Sequence, residues 1–322
     1  MIANSGEYRK KNGQRGYVMM NNFIFENKTK VYFGKGGVKE YLGGLLANFG
    51  ETVMLAYGGG SIKCNGVYDE IMGILNAQGK CVVEFSGIMS NPTYAKVQEG
   101  AKLARENHVD LILAVGGGSV SDCCKVISGA FDTLSHAMET YFGKPDENNL
   151  SDDINEAVMR SVIRNIRILL TDPENYDARS ELARASAMAE NGVLKIGKVT
   201  DFQAHQIQHQ LGAYTDCNHG AGLAVIHPVL YRHIYKSGTA RFARFAQNVW
   251  GIAPKGSDGE TAAGIDALAA FIKEIGLPAS FAELGIPADT DFRAVADSTN
   301  VTAGCCKKLT HDEIYEILQE CL

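Results

Sequence analysis

Residues 52–63 read TVMLAYGGGSIK: an apolar run of six, three glycines, then polar sequence that can begin a helix. The run is short, β-branched and apolar and ends in glycine, so it reads as a strand. The same pattern returns twice. CVVEF at 81–85 ends in SGIMSNP, and DLILAV at 110–115 ends in a second GGGS. Helical spacing fills the intervals at about 66–78 and 94–107, and a third helix follows the second GGGS. Strands bounded by glycine and separated by helices predict βαβ units in a parallel sheet, with an early strand near Lys30–Phe33.

That rhythm stops after residue 129. Apolar residues then recur at helical spacing through 151–170, 178–193, 199–213 and 259–275, with Pro254, Pro278 and Gly285 as breakers. The predicted fold is an α/β dinucleotide-binding domain over 22–128, with a parallel, Rossmann-like but incomplete sheet. An all-α metal-binding domain over 129–322 follows it, and a disordered leader over 1–21 precedes it.

Composition excludes several classes. The 322 residues carry a net charge of −6, which gives no basic footprint for nucleic acid, and no lysine/arginine cluster suggests a membrane surface. No apolar run approaches the length of a membrane span. Eight cysteines without CxxC spacing read as reduced thiols of a cytoplasmic protein.

Each GGGS sits where a strand gives way to a helix. A side chain there would block a phosphate, and the helix start offers unpaired N–H groups. Gly116, Gly117, Gly118 and Ser119, with Asp122 one turn on, are the stronger candidates for a pyrophosphate cradle; Gly58, Gly59, Gly60 and Ser61 form the second turn. A tight turn needing positive φ is the alternative for either. The acid that commonly grips the ribose 2′-OH of NAD is not evident near the first turn, which holds Lys63 instead. This favours NADP(H) over NAD(H).

Three of the eight histidines fall in DFQAHQIQHQLGAYTDCNHG, residues 201–220. His205 and His209 are one helical turn apart, and His219 follows at the start of another helix. Asp132 and His136 repeat the four-residue spacing in FDTLSHAMETY. One carboxylate with several imidazoles suits Fe(II), Zn(II), Ni(II) or Co(II). His108, His227, His233 and His311 lack such company and are read as structural.

YGGGSIK, GIMSNP, LAVGGGSVSD, GAFDTLSHAMETY and DFQAHQIQHQLGAYTDCNHGAGLAV, with the VWGI and GLP segments, make the chain similar to the group III, iron-containing alcohol dehydrogenases. The resemblance runs from about Asn22 to the C-terminus and is nearest to the NADPH-dependent butanol dehydrogenases and aldehyde reductases. It implies that Asp132, His136, His205 and His219 bind the metal, Fe2+ or Zn2+ first. His209 would face nicotinamide and substrate and relay a proton, and Asn91 would line the cofactor groove. A small aliphatic alcohol or aldehyde would be the substrate, and the protein would be a homodimer. The family also places several dozen more residues, including a TGTGSE-like loop, between the helix after the second GGGS and the D-x-x-x-H helix. Here Ser128 runs straight into Gly129. A non-catalytic metal-binding remnant and a glycerol dehydrogenase-like enzyme are the alternatives.

Overall fold

The computed structural model describes residues 30, 32, 34–88, 94–116, 123–144, 148–200, 202–253, 258–302 and 306–322. The first part runs α1 (Gly37–Leu46), β1 (Thr52–Tyr57), α2 (Ser61–Cys64), α3 (Val67–Ala77), β2 (Cys81–Phe85), α4 (Tyr94–Glu106) and β3 (Leu111–Val115). The three strands are parallel in the order β2-β1-β3. β1 is the middle strand and is buried from Val53 to Tyr57. Val53, Leu55 and Tyr57 pack toward Leu46, Ile71 and Leu75 of α1 and α3. Met54 and Ala56 pack with Phe85 and, from α4, Leu103 and Ala104 on the opposite face. Two covered faces explain the continuous apolar run.

Of the strand expected near Lys30–Phe33, only Lys30 and Tyr32 are among the described residues, and neither lies in a strand. The Tyr32 ring packs on Tyr41 of α1, centroids 5.2 Å apart. β3 therefore ends the described sheet, and Ile112 on it is 59% exposed.

The remainder is helical: α5 (Cys123–Tyr141), α6 (Leu150–Thr171), α7 (Tyr176–Glu190), α8 (Gln203–Thr215), α9 (His219–Ile234), α10 (Thr239–Asn248), α11 (Asp258–Glu274), α12 (Phe292–Ser298) and α13 (His311–Glu320). One continuous apolar core joins these helices. α5 passes unbroken through Ser128 and Gly129, so the helix after the second GGGS and the D-x-x-x-H helix are a single element. α8 begins later than the spacing implied. Val199 is tied into an antiparallel bridge with Lys144, and Phe202 adopts φ 56°, left-handed backbone that no helix can include.

Candidate metal centre and glycine turns

α5 is buried at every position from Ala130 to Tyr141 except Asp132 and His136, which are only partly covered. Phe131, Leu134, Met138 and Tyr141 fill the core side. Asp132, His136 and Glu139, at i, i+4 and i+7, form one polar stripe along the helix. α8 brings His205, Gln208 and His209. α9 starts at His219, because the Asn218 side chain accepts the Ala221 N–H at 3.0 Å and caps the helix there.

These side chains converge. His205 Nε2 lies 3.3 Å from Asp132 Oδ1 and 3.0 Å from His136 Nε2. His219 Nε2 is 3.4 Å and His136 Nε2 3.7 Å from the same Asp132 oxygen. The ligand atoms of Asp132, His205 and His219 all lie within 4.8 Å of one another. Two imidazoles are held from behind. Glu139 accepts the Nδ1–H of His205 and, at 2.6 Å, the backbone N–H of Ala204. Gln208 turns its carbonyl oxygen to His219 Nδ1. Each Nε2 is thereby presented to the centre. His136 Nδ1 is buried with no hydrogen-bond partner among the described residues, and its Nε2 also meets Glu190 Oε1 at 3.0 Å.

Protonation reflects this crowding. Burial pushes the Asp132 carboxyl up, but hydrogen bonds from His205 and His219 outweigh it and hold it well below the usual range. Burial pulls His136 down to about 4, helped by the nearby His205. His205 is also penalised by burial, yet its bonds to Asp132 and Glu139 raise it to about 9. Burial and the Asp132 charge push Glu190 up. His209 is exposed and stacks on His219 with centroids 5.4 Å apart; burial of its inner part and the charge of His219 lower it.

A divalent cation fits these residues. Four donor atoms around one ion at about 2.1 Å stand roughly 3.4 Å apart in a tetrahedron; Asp132 stands 3.3, 3.4 and 3.7 Å from His205, His219 and His136, and His136 stands 3.0 Å from His205. His219 Nδ1 faces the Gln208 carbonyl oxygen, which leaves Nε2, 3.4 Å from Asp132 Oδ1, as the nitrogen an ion would take. Phe202 closes one side, its ring 5.3 Å from His136 and 5.2 Å from His205.

The register sets the two glycine turns side by side. Tyr57 pairs with Val115, so Gly58 and Gly116 leave neighbouring strand ends together. The chain goes from β1 outward to β2 and then back across to β3, and the gap between β1 and β3 is the crevice where open α/β sheets bind ligands. Gly60 has φ +103°, and a Cβ on Gly59 or Gly116 would meet nothing within 4 Å. Room for a phosphate and the need for positive φ are thus both present at the first turn. The backbone of Ser61 opens α2. Asn91, Gly117, Gly118, Ser119 and Asp122 lie outside the described residues.

Sequence reasoning missed an acid near the first turn. Glu84 on β2 accepts the hydroxyls of Tyr57 and Tyr68, each at 2.5 Å, and sits 3.4 Å from Lys63 Nζ. It follows Gly58 by more than a helix and most of a strand, so no local pattern links them. Glu139 and Gln208 had a signal, since each shares a helix face with a candidate ligand. Glu190 had none, because it arrives from α7.

The profile described as "Iron-containing alcohol dehydrogenase" matches residues 28–157, and that of the "Fe-containing alcohol dehydrogenase family, C-terminal" matches 126–322. A probable NADH-dependent butanol dehydrogenase 2 of Bacillus subtilis is 30% identical over 392 aligned residues, covering 94% of this chain and 100% of the relative. The NADPH-dependent aldehyde reductase YqhD of Escherichia coli is 26% identical over 83% of this chain and 90% of that protein. The crystal structure of NADH-dependent butanol dehydrogenase A from Thermotoga maritima superposes with a TM-score of 0.87 at 27% identity, covering 94% and 99% of the two chains. An alignment of 392 positions with a 322-residue chain leaves several dozen residues of the relative without a counterpart here.

Proposed function

The chain belongs to the iron-containing alcohol dehydrogenase family, and from that premise we propose that it interconverts a small aliphatic aldehyde and its alcohol. The observation that carries the reading is the meeting of Asp132, His205 and His219 donor atoms within 4.8 Å of one another, with His136 Nε2 3.0 Å from His205 and 3.7 Å from Asp132. A divalent cation there, Fe2+ or Zn2+ before Ni2+ or Co2+, would supply Lewis acidity toward the substrate oxygen, while a bound nicotinamide would supply or accept the hydride.

The chain's own residues do the rest. Glu139 and Gln208 hold Nδ1 of His205 and His219, so that Nε2 of each is the nitrogen turned to the ion. His209, exposed and held below its usual pKa, is neutral near pH 7 and can pass a proton between the substrate oxygen and water through its ring nitrogens. Phe202 keeps water from one side of the metal ligands. Gly58–Gly60 and Ser61, with Gly116–Gly118, Ser119, Asp122 and Asn91, are the proposed dinucleotide contacts. The division into 22–128 and 129–322, a homodimer and a cytoplasmic location belong to the same reading. Among the described residues, no helix is long and apolar enough to cross a membrane.

Lys63 supports NADP(H), since its ammonium suits a 2′-phosphate. Glu84 beside it supports NAD(H) as the second choice, because a carboxylate at a strand end accepts the ribose hydroxyl. Loading the protein with each metal and following NADPH and NADH absorbance with butyraldehyde tests the activity and the choice together. Consumption of NADPH at the higher kcat/KM is expected. No consumption of either with any of the four metals would overturn the enzymatic reading.

The residues without a counterpart here favour a second reading, a metal-binding protein that no longer transfers hydride. Titration with NADPH separates the two: quenching or enhancement of its fluorescence is expected of the enzyme, none of the remnant.

A further inference from the structure

We propose that Glu190 is a fifth protein donor to the same cation, making the site one of two carboxylates and three imidazoles; this rests on the four-ligand reading above. Glu190 ends α7, a helix that contributes none of the other donors. Its Oε1 stands 3.0 Å from His136 Nε2, the nitrogen that also faces His205 at 3.0 Å and Asp132 at 3.7 Å. Two donors at right angles about an ion with bonds of about 2.1 Å are roughly 3.0 Å apart, and Glu190 holds that spacing from one proposed ligand, His136 Nε2.

The protons make the same point. A neutral imidazole carries one proton, and nothing pins the proton of His136 to Nδ1, which has no partner among the described residues. Without metal, Nε2–H can donate to Glu190. When Nε2 ligates, the proton must move to Nδ1 and Glu190 loses its donor. A carboxylate left beside a lone pair and a divalent ion turns to the ion. Its side chain is 51% exposed at the end of a helix, so the swing breaks no packing. Two oxygens with three nitrogens form a harder set than one oxygen with three nitrogens. It favours the five- and six-coordinate habits of Fe(II) and Co(II) over tetrahedral Zn(II) and still leaves one position for a substrate oxygen.

Cobalt reports the coordination number directly, because four-coordinate Co(II) absorbs visible light far more strongly than five- or six-coordinate Co(II). The full-length protein loaded with Co(II) is expected to show weak bands. Glu190→Ala should give intense bands and at least a tenfold loss of Co(II) affinity, measured by competition with a chelator. Glu190→Gln keeps the volume and removes the charge, so it decides the matter if the alanine variant folds poorly; it should lose affinity in the same direction. Unchanged spectra and affinity in the folded variants would overturn the role of Glu190 while leaving the four-ligand site intact. Failure of the unaltered protein to bind Co(II) would overturn both.

Discussion

The Glu139 carboxylate spans two neighbours on α8, taking the Nδ1–H of His205 with one oxygen and the Ala204 N–H with the other at 2.6 Å. A helix-borne acid thus fixes both the rotation of a proposed ligand and the start of the helix that carries it. Glu139→Gln keeps the shape and removes the charge. Outer partners of ligating histidines are worth about 10–100-fold in metal affinity, and a loss in that range is expected by chelator competition. An unchanged affinity would reduce Glu139 to a helix tether.

Protonation of the metal-free centre gives a pH signature. His205 is raised to about 9, so its contribution to stability is complete below its ordinary value and is lost as pH rises through about 9. His136 is lowered to about 4, so the unfolded chain takes up its proton first and stability falls as pH drops from the ordinary histidine value toward about 4. The metal-free Tm should therefore crest near pH 6.5, the ordinary histidine value. Binding must displace the His205 proton, so apparent metal affinity should improve about tenfold per pH unit between about 7 and 8.5. Calorimetry in buffers of different ionisation heat counts that proton.

Metal should also stabilise the fold. At a hundredfold excess of free ion over Kd, a ligand specific for the native state contributes about 2.7 kcal/mol, a rise of several degrees in Tm for a chain of this size. EDTA should reverse it, and Asp132→Asn should abolish it. A Tm indifferent to metal would count against the convergence of the four side chains.

Beyond α5 lies a buried ionic group without a catalytic task. Asp152 is fully buried and pairs with Lys198 through one oxygen and with Arg241 through the other, at 2.6 Å. Lys198 also donates to the Tyr141 carbonyl at the end of α5 at 3.0 Å. Asp152→Asn leaves two cations facing one neutral amide, and breaking a buried pair in this way costs about 3–5 kcal/mol. Urea unfolding should show that loss, with metal affinity in the folded fraction little changed.

Gly60 probes the dinucleotide reading. Its φ of +103° is strained for any residue with a Cβ, and such backbone costs about 1–3 kcal/mol. Gly60→Ala should lower Tm and raise KM for the dinucleotide about tenfold while kcat at saturation changes less. A lower Tm with KM unmoved would mark the turn as structural only.

How far the sequence reached follows from the range of its signals. The strands at 52–57 and 81–85 and the long helices were legible because period and glycine punctuation act within a dozen residues. The Asp132/His136 pairing was legible because four residues make one turn. A short β-prone run such as Lys30–Phe33 says nothing about whether a neighbour stands beside it; Tyr32, one of its two described residues, packs on Tyr41 of α1. Phe202 looked like part of α8 because nothing in its own chemistry announces a positive φ.

Local order, then, was written in the chain: which residues coil, which extend, and which imidazoles and carboxylate lie one turn apart. Only the packed structure decided that α5, α8 and α9 meet where those groups face each other, that Glu139 and Gln208 stand behind them, and that Glu84 and Glu190 arrive from other elements. Spacing along a helix is fixed by its pitch. Encounters between helices are set by burial of their apolar faces, a property of the whole core that no short stretch contains.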